Sequence, residues 1–362
     1  MLDKIFYKVT IVITTYNLAK YIEKALDSVL NQITNFKYKV LIGDDNSQDG
    51  TLEILKSYQL KYPEKIYVIS SNENKGSLFN SSRLFDGIKT DYISFLDGDD
   101  YWINENRLQM QVDFMDQNLE YSMCGANTLM LDEDKMQKII IDIDKKKDEY
   151  DFNDYLNGNA FFVHTSSILI RNSLYYKGID KNYFEAVGKF YECAYRGEDV
   201  RFLDHLKEGK VKVFLDQDFS VYRIHNNGIW QGSSEIKRNV ESIISYYIFQ
   251  NRYLNENNFY FYDLCKKQYE NFLNLLKNSF SSDFKLIKFN EMKLFLEFYN
   301  HVVLNDKAFI DFIKLNSSDN SHKLKEKIKK KVKFKYKILI FVFNKIKKLL
   351  IRKKLLNEYD IV

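Results

Sequence analysis

The chain has 362 residues, 45% of them hydrophobic and 29% charged, which are globular proportions and enough length for one large domain with an appendage or for two domains. Its cysteines, Cys124, Cys193 and Cys265, are widely spaced with no C-x-x-C pair, which excludes a disulfide framework and a thiolate zinc site and suits a reducing compartment. The net charge of +4 conceals an asymmetry: residues 322–355 hold 15 Lys or Arg and the single acid Glu326, leaving 39 basic and 49 acidic residues elsewhere, an imbalance that bears on partners rather than on fold.

The start, Met1-Leu2-Asp3-Lys4, lacks the basic region and apolar stretch of a signal peptide, so a cytoplasmic protein is expected. No apolar run approaches the roughly 20 residues of a spanning helix; the longest is Ile338 to Phe343. No internal repeat or flexible linker marks a boundary.

Val9 to Thr14 is apolar and β-branched, as in a strand covered on both faces. Ile22, Ala25, Leu26, Val29, Leu30 and Ile33 then share one face at a 3.6 period, predicting a helix over 19–33. A strand from Tyr38 to Ile42 ends at Gly43-Asp44-Asp45-Asn46-Ser47, and a helix follows from about Thr51. Tyr67 to Ile69 is a third strand, followed by a polar loop through Gly76 and a helix near 80–89. A fourth strand ends at Asp97-Gly98-Asp99-Asp100. This alternation makes a parallel sheet with right-handed crossovers.

Carboxylates crowded within four positions raise one another's pKa unless a cation relieves them. At the carboxyl end of a strand, where open α/β sheets bind ligands, Asp oxygens with diphosphate oxygens suit Mg²⁺ or Mn²⁺. A solvated Asp-Gly turn is the plainer reading of those residues alone.

"VTIVITTYN", "LIGDDNSQDGT", "NKGS" and "DYISFLDGDDYW", in this order and at these spacings, resemble the nucleotide-binding half of the family 2 inverting glycosyltransferases with the GT-A fold. The resemblance implies a Rossmann-like, mostly parallel sheet flanked by helices, a nucleotide-sugar donor and a divalent metal. Carried over by position, Thr14 and Tyr16 line the base pocket, and Asp45 accepts the pyrimidine N3 hydrogen while Asp44 is structural. Asp97 and Asp99 hold the metal and the ribose-phosphate, with Asp100 supporting them from behind. Arg83 stands in a loop that departs from the family pattern, and both a diphosphate contact and a solvated helix-surface position are open for it.

Further along, residues 103–131 read as a helix with Leu108, Met110 or Gln111, Phe114 and Met115 on one side, then a strand from Met123 to Leu131. Residues 132–154 are charge-dense and read as a mobile surface excursion, and Phe161 to Arg171 resumes strand character around His164, expected to be a hydrogen-bonded core histidine. Glu198 and Asp199 open an apolar helix, where the dipole stabilises negative charge by about 0.3–1 kcal/mol, so capping alone accounts for them. The resemblance instead makes Asp199 the catalytic base, with Glu198 in reserve. Tyr222 to Gly228, following a strand from Val211 to Leu215, resembles the family's Arg-x-His segment, in which His225 completes the coordination of the metal or diphosphate. Trp230 is read as a lid anchor or as packing.

The resemblance ends near Ser234. Three parts are expected: a glycosyltransferase domain over 1–234, a helical subdomain over 235–320, and a basic amphipathic tail over 321–362. In the tail Leu339, Val342, Phe343, Ile346, Leu349 and Leu350 recur at helical spacing among lysines, as in a helix lying on an anionic bilayer; the upstream Lys331 to Lys337 alternates with period two. The expectation is a metal-dependent hexosyltransferase, peripheral at the inner face of the cytoplasmic membrane. Its expected donor is a UDP-linked nucleotide sugar, its acceptor a surface glycan such as lipopolysaccharide or a glycolipid, and nucleic acid is no partner. A sugar nucleotidyltransferase and an inert membrane-docking scaffold are the alternatives.

Overall fold

The computed structural model describes residues 6–85, 87–132, 137–140, 147–156, 163–172, 197–225, 228 and 235–253, with isolated positions between 260 and 271. The chain divides into two units, 1–291 and 292–362, and all described residues lie in the first.

Strands β1 (Val9–Thr15), β2 (Tyr38–Asp44), β3 (Ile66–Ser70) and β4 (Tyr92–Asp97) are parallel and lie in the order β3-β2-β1-β4. Alternation along them serves two cores. Ile11 and Ile13 of β1, with Tyr92 and Leu96 of β4, join one cluster, while Val12, Ile93 and Phe95 join another. Helices α1 (Ile22–Leu30) and α2 (Thr51–Lys61) cover the first side, and α3 (Ser77–Phe85) covers the second. The face of α1 holds Ile22, Ala25, Leu26 and Val29, as its period predicts. Ile33 does not join them: α1 stops at Leu30, and Ile33 is 58% exposed, with its N–H donated to the Glu105 carbonyl.

After β4 the chain passes through the acidic turn into β5 (Tyr101–Trp102), α4 (Arg107–Gln117), β6 (Tyr121–Asp132), β7 (Gln137–Ile140), β8 (Glu149–Tyr150) and α5 (Phe152–Leu156). A 3-10 turn (Thr165–Ser167), β9 (Leu169–Arg171), α6 (Gly197–Glu208), β10 (Lys210–Ile224) and α7 (Glu235–Tyr253) follow. The sheet continues β4-β9-β6-β10-β5. Here it is mixed: β9 is antiparallel to β4 and β6, β10 is parallel to β6, and β5 is antiparallel to β10. The sheet curls until β5 packs against α1.

Besides Ile33, three expectations change and one open alternative is resolved. On α4 the buried face is Arg107, Leu108, Gln111, Val112 and Met115, so Gln111 rather than Met110 turns inward. The stretch 132–154 is not all surface excursion, because Ile139 and Ile140 of β7 pair with Met130 and Leu129, and β8 pairs with β10. Among the described residues of Phe161 to Arg171, those from 163 to 171, only Leu169–Arg171 is strand, since the His164 side chain accepts the Ser166 N–H and caps a 3-10 turn. Finally, β10 runs through register shifts to Ile224, so Tyr222 and Arg223 are strand residues rather than part of a following loop.

Candidate active site

Strand order reverses at β1, with β2 and β3 to one side and β4 to the other. The crevice outside the carboxyl ends of the strands at such a point is where open α/β sheets take ligands. In register, Thr14 stands between Gly43 and Asp97, and Thr15 beside Asp44. Tyr16, Asp45 and Asp97 therefore emerge side by side. The loops carrying them are laced together: the Asp45 N–H donates to the Thr15 carbonyl at 3.0 Å, that of Asn17 to Ser47 Oγ at 2.9 Å, and that of Gln48 to Asn17 Oδ1 at 2.8 Å. Tyr16, the first residue after β1, is 44% exposed.

Asp45 is buried, and its carboxylate anchors the next loop. Oδ2 accepts the Gly76 N–H at 2.7 Å, and Oδ1 accepts the Lys75 N–H at 3.0 Å and the Ser71 hydroxyl at 3.2 Å. A carboxylate offers about four acceptor positions, so one remains for a ligand N–H. Asp44, wholly buried, braces its own turn by accepting the Ser47 N–H at 3.2 Å, in keeping with a structural part.

Arg83 is not a solvated surface residue. Its Nη2 donates to the Asp44 carbonyl at 2.8 Å and the Ile69 carbonyl at 3.1 Å, and its Nε to Asn80 Oδ1 at 3.0 Å. The guanidinium ties α3 to the ends of β2 and β3. Asn80, which the sequence reading passed over, completes the tie by donating Nδ2 to the Gly43 carbonyl at 2.8 Å. A Cβ on Gly43 would lie 2.6 Å from Asn80 Oδ1, so only glycine lets α3 come this close.

The acidic turn is pinned at both ends. Gly98 donates its N–H to the Thr14 carbonyl at 3.1 Å, and a Cβ there would stand 3.1 Å from that oxygen. Asp100 is wholly buried, with the Ser166 hydroxyl donating to its Oδ2 and the Arg223 N–H donating to its Oδ1 at 3.1 Å. Burial, then the charges of Asp99 and Asp97, push the Asp100 carboxyl well above the usual carboxylate range, although the two donated hydrogen bonds work the other way. A cation at the turn would relieve that cluster. Asp99 Oδ2 lies 3.0 Å from His225 Nε2, across 126 residues of sequence. The His225 ring rests 4.9 Å from that of Tyr21, and the Arg223 guanidinium lies over Tyr21 and Tyr101 at 5.3 and 4.8 Å.

Two of the three expected metal ligands, Asp99 and His225, are thus brought together, with Asp97 two positions before Asp99 on the same turn. Among the described residues no group of three or more His, Cys, Asp or Glu side chains could hold a metal ion unaided. The donor set nevertheless fits a Mg²⁺ or Mn²⁺ ion, because Mg²⁺ is commonly held by one or two carboxylates with substrate phosphates completing its shell. Glu198 and Asp199 stand in the first turn of α6, where a helix was expected; their side chains, and Trp230, lie outside the described residues. His164 is where a core histidine was expected, half-buried, with Nδ1 accepting from Ser166 and 3.9 Å from Asp100.

Residues 10–178 match the family model described as glycosyl transferase family 2. These residues form a family 2 glycosyltransferase domain. An uncharacterized Mycobacterium tuberculosis protein is 28% identical to the chain over 229 residues, 63% of this chain and 62% of the relative. Bacillus subtilis TuaG, named for teichuronic acid biosynthesis as a glycosyltransferase, is 32% identical over 133 residues, 36% of this chain and 52% of its own. The chain thus spans less than two thirds of the length of these relatives. Among solved structures, residues 1–349 of S. aureus TarS in complex with UDP-GlcNAc superpose with a TM-score of 0.52 at 17% identity, covering 80% of this chain and 79% of that one. The glycosyltransferase domain has the GT-A fold, and the crevice at β1 and β4 is its candidate active site.

Proposed function

We propose that the chain is a metal-dependent inverting glycosyltransferase that moves a sugar from a UDP-linked donor to a hydroxyl of a surface glycan or lipid-linked acceptor. The observation carrying this reading is the convergence, at one strand-order reversal, of the Tyr16 and Asp45 loops with the Asp97–Asp100 turn. The fold neighbour's complex with UDP-GlcNAc and the glycosyltransferase name of the Bacillus subtilis relative support the donor class and the glycan acceptor.

In this reading Tyr16 stacks on the base, Thr14 lines its pocket, and the last acceptor position of Asp45 takes the imide N–H, a charge-assisted bond of about 1.5–3 kcal/mol. Asp97, Asp99 and His225 would hold the ion and the diphosphate, and Asp100 keeps the turn in place. The ion, when bound, offsets charge developing on the leaving diphosphate. Asp199 removes the proton from the acceptor hydroxyl as that oxygen attacks C1 opposite the diphosphate, with Glu198 as the reserve. A sugar nucleotidyltransferase is disfavoured by Thr14-Thr15-Tyr16, which stands where such an enzyme carries a Gly-rich phosphate loop.

The test is incubation with a panel of nucleotide sugars and Mn²⁺ or Mg²⁺. One donor, expected to be UDP-linked, releases its nucleoside diphosphate, and chelator abolishes the release. Release undiminished by chelator overturns the metal assignment, and no release from any donor, with or without a glycan acceptor, favours the inert scaffold.

A further inference from the structure

Beneath the acidic turn lies a buried cation. Arg107, at the first position of α4, is fully buried, and no carboxylate stands among its hydrogen-bond partners. Desolvation of that kind is costly for a charge and holds the guanidinium down to about 9. What compensates is a full set of oxygens. Nη1 donates to the Ser166 carbonyl at 2.5 Å, and Nη2 to Ser94 Oγ at 3.1 Å, Gln111 Oε1 at 3.0 Å and the Ile168 carbonyl at 3.3 Å. The planar group also lies 3.8 Å from the centre of the Trp102 ring, whose Nε1 donates to the same Ser166 carbonyl at 2.8 Å.

Ser166 is where this network meets the site. Its carbonyl takes two donors from below, and its hydroxyl donates to Asp100. Asp100 in turn accepts the Arg223 N–H, two residues before the histidine that reaches Asp99. We propose that Arg107 is a positioning residue for the Asp99–His225 pair: its fork fixes Ser166, Ser166 fixes Asp100, and Asp100 fixes the end of β10 that delivers His225. The inference rests on the metal-assisted reading above. It goes beyond that reading by assigning the geometry of the ion's ligands to a group outside the crevice. The geometry of the fork carries the effect, because a lysine keeps the charge but cannot hold several oxygens in one plane.

The experiment measures Mn²⁺ affinity in the presence of UDP by electron paramagnetic resonance, on the full chain, for the wild type, Ser166→Ala, Arg107→Lys and the double variant. Near-UV circular dichroism confirms that each is folded. Mutating groups that orient ligands typically costs about 10–100-fold in metal affinity. Ser166→Ala and Arg107→Lys should each weaken Mn²⁺ binding about tenfold, and the double variant no more than either, as for members of one chain of contacts. A folded Ser166→Ala with Mn²⁺ affinity within twofold of wild type overturns the proposal, even if Arg107→Lys fails to fold. So does an Arg107→Lys variant that binds Mn²⁺ normally, since charge without the fork would then suffice. The wild type tests the underlying reading separately: if it binds no Mn²⁺ with UDP, the metal-assisted donor site fails and this inference goes with it.

Discussion

Asp100 braces the acidic turn from within. It is the buried member of three neighbouring carboxylates, held by one hydroxyl and one backbone N–H, while Asp99 keeps a side chain 20% exposed and within reach of His225. The division of labour suits an ion bound at the outer carboxylates. The base is a separate matter, because a proton acceptor needs reach to the acceptor hydroxyl rather than to the diphosphate. Asp199→Asn should lower turnover by at least about 100-fold, the low end of what general base catalysis contributes, while leaving the donor Kd within twofold. Measuring both on the same preparation decides it, and appreciable transfer by the variant passes the role to Glu198. The placement of Asp44-Asp45 and Asp97 was legible in the sequence because each comes at the close of an apolar run, a pattern that sets it at a strand end. Arg107, Asn80 and Ser166 were not, since polar residues inside helices and turns read as surface. For Arg107 there was a signal: it and Gln111 fall four apart on the stripe of Leu108, Val112 and Met115, so a polar pair was headed for the interior.

Elements one to four of the sheet could be read from local periodicity, whereas the second half depends on pairings that no window of sequence contains. β10 lies parallel to β6 almost ninety positions earlier, with Lys210 opposite Tyr121, and β5 reaches β10 only because the acidic turn ends where it does. That is why periodicity alone ends the strand at Leu215 and places the Arg-x-His residues in a loop. α3 offers a test at this scale. Its attachment to β2 and β3 goes through Arg83, with bonds to two strand-end carbonyls. Arg83→Met removes those charge-assisted bonds, each worth about 1.5–3 kcal/mol, and leaves the Asp44 carbonyl with the Ser71 N–H as its donor. The expected result is a loss of roughly 3 kcal/mol in denaturant unfolding, the low end for two such bonds, with UDP affinity within about threefold. A variant of unchanged stability whose UDP affinity falls tenfold or more would return Arg83 to the diphosphate role that its position in the sequence left open.

Charge is distributed over the whole molecule in a way that neither the sheet nor the crevice requires. The excess of lysine and arginine in residues 322–355 stands against an acidic remainder, and these residues lie outside the described ones, so the argument for them is the sequence pattern. Leu339, Val342, Phe343, Ile346, Leu349 and Leu350 recur at helical spacing with lysines between them. An acidic body gains nothing from an anionic surface, so attraction to one must come through this segment, at about 1 kcal/mol for each Lys or Arg near a charged bilayer. Among the described residues no helix is long and apolar enough to cross a membrane. We therefore propose docking through the tail, which would bring the crevice to lipid-linked acceptors at the inner face of the cytoplasmic membrane. The full chain should sediment with vesicles containing phosphatidylserine at low salt and progressively less as salt screens the attraction, and neutral phosphatidylcholine vesicles should bind it far less. A chain lacking residues 323–362, shown to be folded, should stay in the supernatant while retaining donor hydrolysis. If it pellets with the anionic vesicles as well as the full chain does, the lysine-rich segment is not the anchor, and the acceptor must be reached without it.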